Sequence, residues 1–89
     1  MTASGTSPYV CVLYFAALRD LSGVAEENVS LEPGVGDVRA LLELLEGRRE
    51  ALRGRLGSVR VAVNEEFAPL STALHGGDVV ALIPPVSGG

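Results

Sequence analysis

The residues of this chain that could do chemistry are few, and the most distinctive run is Pro84-Pro85-Val86-Ser87-Gly88-Gly89. Adjacent prolines favour the extended polyproline conformation and donate no backbone N–H, so Pro84 and Pro85 are expected to end a strand and aim the chain away from its sheet. At a rise of roughly 3.3 Å per extended residue, six residues reach on the order of 20 Å. Gly88 has no side chain to obstruct a narrow channel, Ser87 is small, and Val86 can act as an apolar anchor. Such an arm can present the carboxyl carbon of Gly89 inside a deep pocket of another protein.

The other reactive side chains assemble nothing comparable. His75 is the single histidine and lies in a Gly-rich stretch, while Cys11, the single cysteine, lies far from it in an apolar run. No metal site and no Cys/His couple is expected from these two residues. Cys11 reads as a small packing residue, since a reactive thiol needs an electropositive, accessible setting. Gly34, Gly36, Gly76 and Gly77 do not match a phosphate loop, and the chain has no lysine. Without lysine there is no Schiff-base chemistry and no side-chain amine on which a second copy could be joined. Glu65 and Glu66 read as a solvated turn, so the chemistry is assigned to the carboxylate of Gly89.

A small α+β domain of five strands and one main helix must position that arm. Tyr9 to Phe15 is β-branched, aromatic and aliphatic on both faces, which predicts a central strand. Phe15 to Leu21 spaces its apolar groups for one or two helical turns, ended by Gly23. Glu26 to Glu32 alternates, with Val29 and Leu31 inward, and is expected to pair with the first strand as an antiparallel hairpin. Pro33-Gly34 breaks the chain, and Asp37 is placed to cap a helix whose Val38, Leu41, Leu42 and Leu45 form one apolar stripe. Arg39, Glu43 and Glu46 are expected to face water, and Gly47 to end the helix. Arg48 to Leu56 fits either a short second helix or a structured loop, with its charges solvated.

Val59 to Asn64 predicts a third strand, and Pro69 places the short extended piece around Phe67 at an edge. His75-Gly76-Gly77-Asp78 turns the chain into Val79 to Ile83, apolar on both faces and so expected beside the first strand. One helix covers only one face of such a sheet. The other face keeps more apolar surface than a solitary protein needs, and a partner is expected there.

Composition narrows the function classes. Eighty-nine residues make one domain, 47% hydrophobic, with seven basic residues against eleven acidic ones and a formal net charge of -4. An acidic balance with no basic cluster argues against nucleic acid as a direct partner. No apolar run approaches the roughly 18 residues of a membrane span, and the first eight residues lack the pattern of a secretory leader, so a cytoplasmic location is expected. Residues 1–8 are expected to be disordered, 9–83 to form the domain, and 84–89 to form a flexible tail.

Several segments together resemble the sulfur-carrier family that includes the small subunit of molybdopterin synthase. They are Val12-Leu13-Tyr14-Phe15-Ala16-Ala17-Leu18-Arg19-Asp20 with Gly23, Gly36-Asp37-Val38-Arg39-Ala40-Leu41, Val61-Ala62-Val63-Asn64, and the long run from Leu74 to Gly89. The most specific part is Gly77-Asp78-Val79-Val80-Ala81 followed by the Pro-Pro-Val-Ser-Gly-Gly end. The family carries Thr or Ser at the helix start where this chain has Val35 and Gly36, a departure that weakens the expected cap. The resemblance implies a ubiquitin-like β-grasp fold, with a mixed sheet of about five strands on one main helix.

It also implies a two-stage use of the tail, with no permanently bound cofactor. A free carboxylate with a pKa of about 3.5 is an unreactive anion, so an adenylating enzyme of the ubiquitin-activating type first joins ATP-derived AMP to Gly89. A sulfur donor protein then supplies sulfur in place of AMP, leaving a thiocarboxylate. Within a heterotetramer of two small and two large subunits, the large subunit accepts the tail and supplies the acid and base groups. Sulfur passes to a pyranopterin precursor, so the chain is a sulfur-donor subunit rather than a catalyst in its own right. By the same resemblance Phe15, Arg19, Phe67 and Ile83 map to the partner-facing side. Two other readings need the same tail: a sulfur carrier for thiazole or tRNA thiolation, and a ubiquitin-like modifier joined through Gly89 to a target lysine.

Overall fold

β-branched and aromatic residues at the front of the chain extend into strand β1 (Tyr9–Tyr14), whose Val10, Val12 and Tyr14 point into the core. The computed structural model describes residues 8–31 and 34–85. The expectations for residues 1–7, for Glu32 and Pro33, and for Val86, Ser87, Gly88 and Gly89 lie outside the described residues. Pro8, placed in the disordered segment by sequence, accepts a hydrogen bond on its carbonyl from the Leu31 N–H at 2.8 Å.

Helix α1 (Ala17–Ser22) follows β1 and stops at Gly23, whose left-handed backbone (φ 83°) brings its N–H to the Arg19 carbonyl. Strand β2 (Glu26–Ser30) pairs antiparallel with β1, Val10 opposite Val29. Helix α2 (Val38–Arg48) buries Val38, Leu41, Leu42 and Leu45, the stripe expected from their spacing. A 3₁₀ turn over Glu50–Leu52 carries Leu52 into the core, and Leu56 is buried beside it. Strands β3 (Arg60–Val63), β4 (Glu66–Phe67) and β5 (Val79–Ile83) complete a five-stranded sheet in the order β2-β1-β5-β3-β4. β5 lies parallel to β1 and antiparallel to β3, so the last strand occupies the middle of the sheet. This mixed sheet with α2 across one face is the β-grasp arrangement.

The start of α2 is better capped than Val35 and Gly36 suggest. Asp37 Oδ1 accepts from the Ala40 N–H at 2.9 Å. The N–H groups of Val38 and Arg39, which no helical carbonyl can reach, donate to Thr72 and Leu70 carbonyls at 3.0 Å. The other end differs from the sequence reading. Gly47 lies inside α2, which runs on to Arg48, because Arg49 still donates its N–H to Leu45 at 3.0 Å. Glu46, expected to face water, turns back so that Oε2 accepts from Gly54 N–H at 3.2 Å, holding the loop after the 3₁₀ turn.

Nor are the charges after α2 all solvated. Arg49 reaches β2, donating from Nη2 to Glu27 Oε1 at 2.8 Å, from Nε to Oε2 at 3.1 Å, and from Nη1 to the Ser22 carbonyl at 2.8 Å. The hydroxyl of the buried Tyr14 donates to the same Glu27 carboxylate. Hydrogen bonding from Arg49 holds the Glu27 carboxyl below its usual range. Burial, with the Glu27 carboxylate next to it, pushes the Tyr14 phenol well above its own. This network links β1, β2, the end of α1 and the end of α2 through side chains distant in sequence.

Candidate functional site

Alternation along the strands decides which side chains face away from α2. On β5, Val80 and Leu82 enter the core while Val79, Ala81 and Ile83 face the other way and are half-buried. Cross-strand register then sets the exposed face in rows. Leu13, Ala81, Ala62 and Phe67 form one row across β1, β5, β3 and β4. The row on one side of it contains Cys11 and Val79, and the row on the other pairs Ile83 with Arg60. Small residues at the centre and larger ones around them hollow the sheet into a groove of about 590 Å³, lined by Leu13, Phe15, Ala62, Phe67, Ala81 and Ile83 among others.

Phe67 is 63% exposed and Phe15 44%, values far from those of packed core aromatics. Three of the four residues expected on the partner side, Phe15, Phe67 and Ile83, therefore share one apolar groove. Arg19 does not line it; it is an exposed residue of α1. Sequence reasoning foresaw an open apolar face but missed Leu13, Ala62, Val79 and Ala81 as its floor. The signal was present in the parity of strands that are apolar on both sides.

The tail leaves from one end of this groove. β5 finishes at Ile83, Pro84 is half-buried and Pro85 is exposed. Phe15, just past the end of the parallel strand β1, donates its N–H to the Leu82 carbonyl at 3.2 Å, so the groove's Phe15 wall and the root of the tail are fixed to each other. The reactive positions proposed from sequence, Gly89 with Gly88, Ser87 and Val86 leading to it, fall outside the described residues.

Elsewhere the candidate reactive groups have structural surroundings. Partial burial, with Glu26 adding a smaller effect, raises the Cys11 thiol above its usual range. His75 is exposed, and its N–H donates to Asp78 Oδ2 at 2.8 Å. The Asn64 amide donates to Asp78 Oδ1 at 3.0 Å and leads the effects that lower the Asp78 carboxyl. Among the described residues no three His, Cys, Asp or Glu side chains are grouped to hold a metal, and no helix is long and apolar enough to cross a membrane.

Residues 12–89 match the model of the ThiS family. A Mycobacterium tuberculosis protein named molybdopterin synthase sulfur carrier subunit is 43% identical over 81 residues, covering 90% of this chain and 96% of its own. The fold is also similar to SAMP1, a small archaeal modifier protein of Haloferax volcanii, with a TM-score of 0.79, 32% identity, and coverage of 91% of this chain and 99% of that one. A third similar structure is a complex of subunits 1 and 2 of the molybdopterin-converting factor of Helicobacter pylori. Its matching chain is 33% identical with a TM-score of 0.62, over 91% of this chain and 99% of its own.

Proposed function

The chain belongs to the ThiS family, and on that premise we propose that it is the sulfur carrier subunit of a molybdopterin synthase. The observation that carries this reading is the apolar groove with the root of the tail at its end. Covered by a large subunit, the groove holds the domain in place while the tail beyond Ile83 reaches into that subunit's pocket. The H. pylori complex of subunits 1 and 2 supports a partner of that kind.

The carrier step begins at the Gly89 carboxylate. One of its oxygens attacks the α-phosphorus of ATP on an adenylating enzyme, pyrophosphate leaves, and a mixed anhydride with AMP forms. Sulfide released by a donor protein then attacks the activated carbon and AMP departs, leaving the thiocarboxylate; where the donor presents a persulfide instead, the acyl disulfide that forms is cleaved by a thiol, which is itself oxidised to a disulfide. A thiocarboxylate is a far better nucleophile than a carboxylate, and its sulfur passes to the pyranopterin precursor in the large subunit. The sulfur is first bonded to both Gly89 and the precursor as a thioester, and water cleaves its acyl–sulfur bond, leaving the sulfur on the precursor and a carboxylate on Gly89; this chain thus contributes the sulfur and its delivery while the large subunit supplies the acid and base groups. ATP and reduced sulfur donors are cytoplasmic, which is where we place the cycle.

Intact-mass measurement after incubation with ATP, an adenylating enzyme and a sulfur source tests the reading. One oxygen replaced by sulfur at Gly89 is expected, followed by return to the starting mass when large subunit and precursor are added. No sulfur gain at all would overturn it. A gain without precursor turnover would instead indicate another thiolation pathway. Likeness to SAMP1 supports a second reading as a protein modifier, and covalent adducts on target lysines in cell extract would select that one.

A further inference from the structure

The apolar groove has an electrically uneven rim. At the tail end Arg60 stands opposite Ile83, and its guanidinium carbon lies 4.4 Å from the centre of the exposed Phe67 ring. The topology puts Arg19 towards the same end, because β1 runs parallel to β5 and α1 follows it. At the opposite end Glu65 lines the groove. Asn64 and Glu65 form the β3–β4 turn with left-handed backbones, φ 53° and 73°. The turn is clamped to the start of β5: Asn64 N–H donates to the Val79 carbonyl at 2.8 Å, and Val79 N–H donates to Asn64 Oδ1 at 2.9 Å. Glu65 is therefore held in place by its neighbours, about 13 Å along the strands from the Arg60 row. Neither Arg60 nor Glu65 forms an ion pair among the described residues.

We infer that this polarity fixes the direction of docking, the covering surface presenting a carboxylate to Arg60 and a cation or neutral donor to Glu65. The inference rests on the sulfur-carrier reading above and names the partner chemistry that reading leaves open. Any surface that covers Phe67 also strips water from the guanidinium stacked on it, and a desolvated charge without a counter-charge is strongly disfavoured. Stacking holds the guanidinium plane in advance, so little side-chain freedom remains to be lost when a carboxylate engages it. A partner seated the other way round would bring its carboxylate to Glu65, where like charges repel. Only one orientation along β5 then satisfies both ends, and it is the one that sends Pro84 towards the partner's pocket. An apolar groove alone would not select between the two directions.

The test is association of the full chain with the molybdopterin synthase large subunit of its own organism, followed over a range of salt concentrations. Arg60→Met is expected to bind about fivefold more weakly at low salt and with a shallower salt dependence; Arg60→Glu is expected to lose roughly tenfold or more. Arg60→Lys should recover part of the loss, and Glu65→Arg should weaken binding independently. Arg60 is exposed, so unchanged unfolding midpoints are expected for its variants. Wild-type affinity and salt dependence in both Arg60→Met and Arg60→Glu would overturn the inference alone. If the wild-type chain itself fails to bind the large subunit, the sulfur-carrier reading fails and this inference falls with it.

Discussion

Replacing Arg49 by methionine probes the polar network that ties the helices to the edge of the sheet. In the native chain the guanidinium makes a two-pronged contact with Glu27 and a third bond to the Ser22 carbonyl. Methionine keeps most of the apolar stem and removes all three donors. Breaking a fully buried ion pair by deleting one partner costs about 3–5 kcal/mol. Here the Arg49 side chain is 30% exposed and that of Glu27 14%. Water therefore reaches the stranded carboxylate in part, and Tyr14 still donates to it, which reduces the expected cost to about 2 kcal/mol. For a domain of this length that corresponds to a fall of roughly 10 °C in Tm.

The pH dependence separates this account from a simple packing defect. The Glu27 carboxyl titrates below its ordinary value of 4.5 in the folded chain, chiefly because Arg49 donates to it. Its contribution is therefore complete above pH 4.5 and is lost as pH falls through the folded value. Arg49→Met should cost most at neutral pH and progressively less in acid, where a protonated Glu27 no longer requires a cation. Glu27→Gln, which keeps an acceptor for Arg49, should cost less than Arg49→Met and should also lose part of the acid sensitivity. Urea unfolding of the three proteins at several pH values gives the answer. A loss below about 0.5 kcal/mol at pH 7, or a loss that does not shrink in acid, would refute the reasoning.

Phe67→Asp should leave the unfolding free energy within about 1 kcal/mol of wild type, because the ring is 63% exposed, yet reduce affinity for the large subunit by more than roughly tenfold in a binding titration. Gly76→Ala should destabilise the fold by about 1–2 kcal/mol in the same urea assay, since the added Cβ would lie 2.9 Å from Pro8 Cβ. Cys11 should react with iodoacetamide at neutral pH about fivefold or more below the rate of free cysteine, because burial and Glu26 both disfavour the thiolate. Alkylation at the rate of the free amino acid would contradict that placement.

The strand order was legible because each deciding feature is local. Val79 to Ile83 is apolar on both faces and can lie only inside the sheet, and Pro69 keeps Phe67 at its edge, as found. Asp37 was readable as a cap from position alone. What escaped the sequence reading depends on side chains that meet only after folding. Glu27 and Arg49 are 22 positions apart and Tyr14 and Glu27 are 13 apart, and no periodicity marks such a meeting. Gly47 was misjudged because a glycine signals a helix end only where the backbone turns left-handed, whereas here the helical bonds continue through it. The Arg60 and Phe67 stack was hidden for the same reason as the ion pair, since it is the β3–β4 register that sets the two rows side by side.

Placing the carrier tail on the central strand has a mechanical consequence that an edge strand could not provide. β5 is hydrogen-bonded on both sides, to β1 and to β3, and its Val80 and Leu82 are fully buried against the core. Leu82, held from both sides, is thus less free to fray than a residue of an edge strand held on one side, and Ile83 follows it directly. Past Ile83, the ring of each proline removes backbone freedom that docking would otherwise have to remove, at about 1 kcal/mol for each residue fixed. For a sulfur carrier, a fixed root and a stiff first segment make the reach of the chain beyond them reproducible. Moving the Pro-Pro pair to Gly-Gly at positions 84 and 85 should therefore leave adenylation and folding intact but slow sulfur transfer in the assembled synthase. That slowing is expected to be roughly 30-fold, for about 1 kcal/mol of freedom restored at each of the two positions. Single-turnover transfer from a preformed thiocarboxylate measures it directly, and an unchanged rate would mean that the partner's pocket, not the tail, sets the tail's conformation.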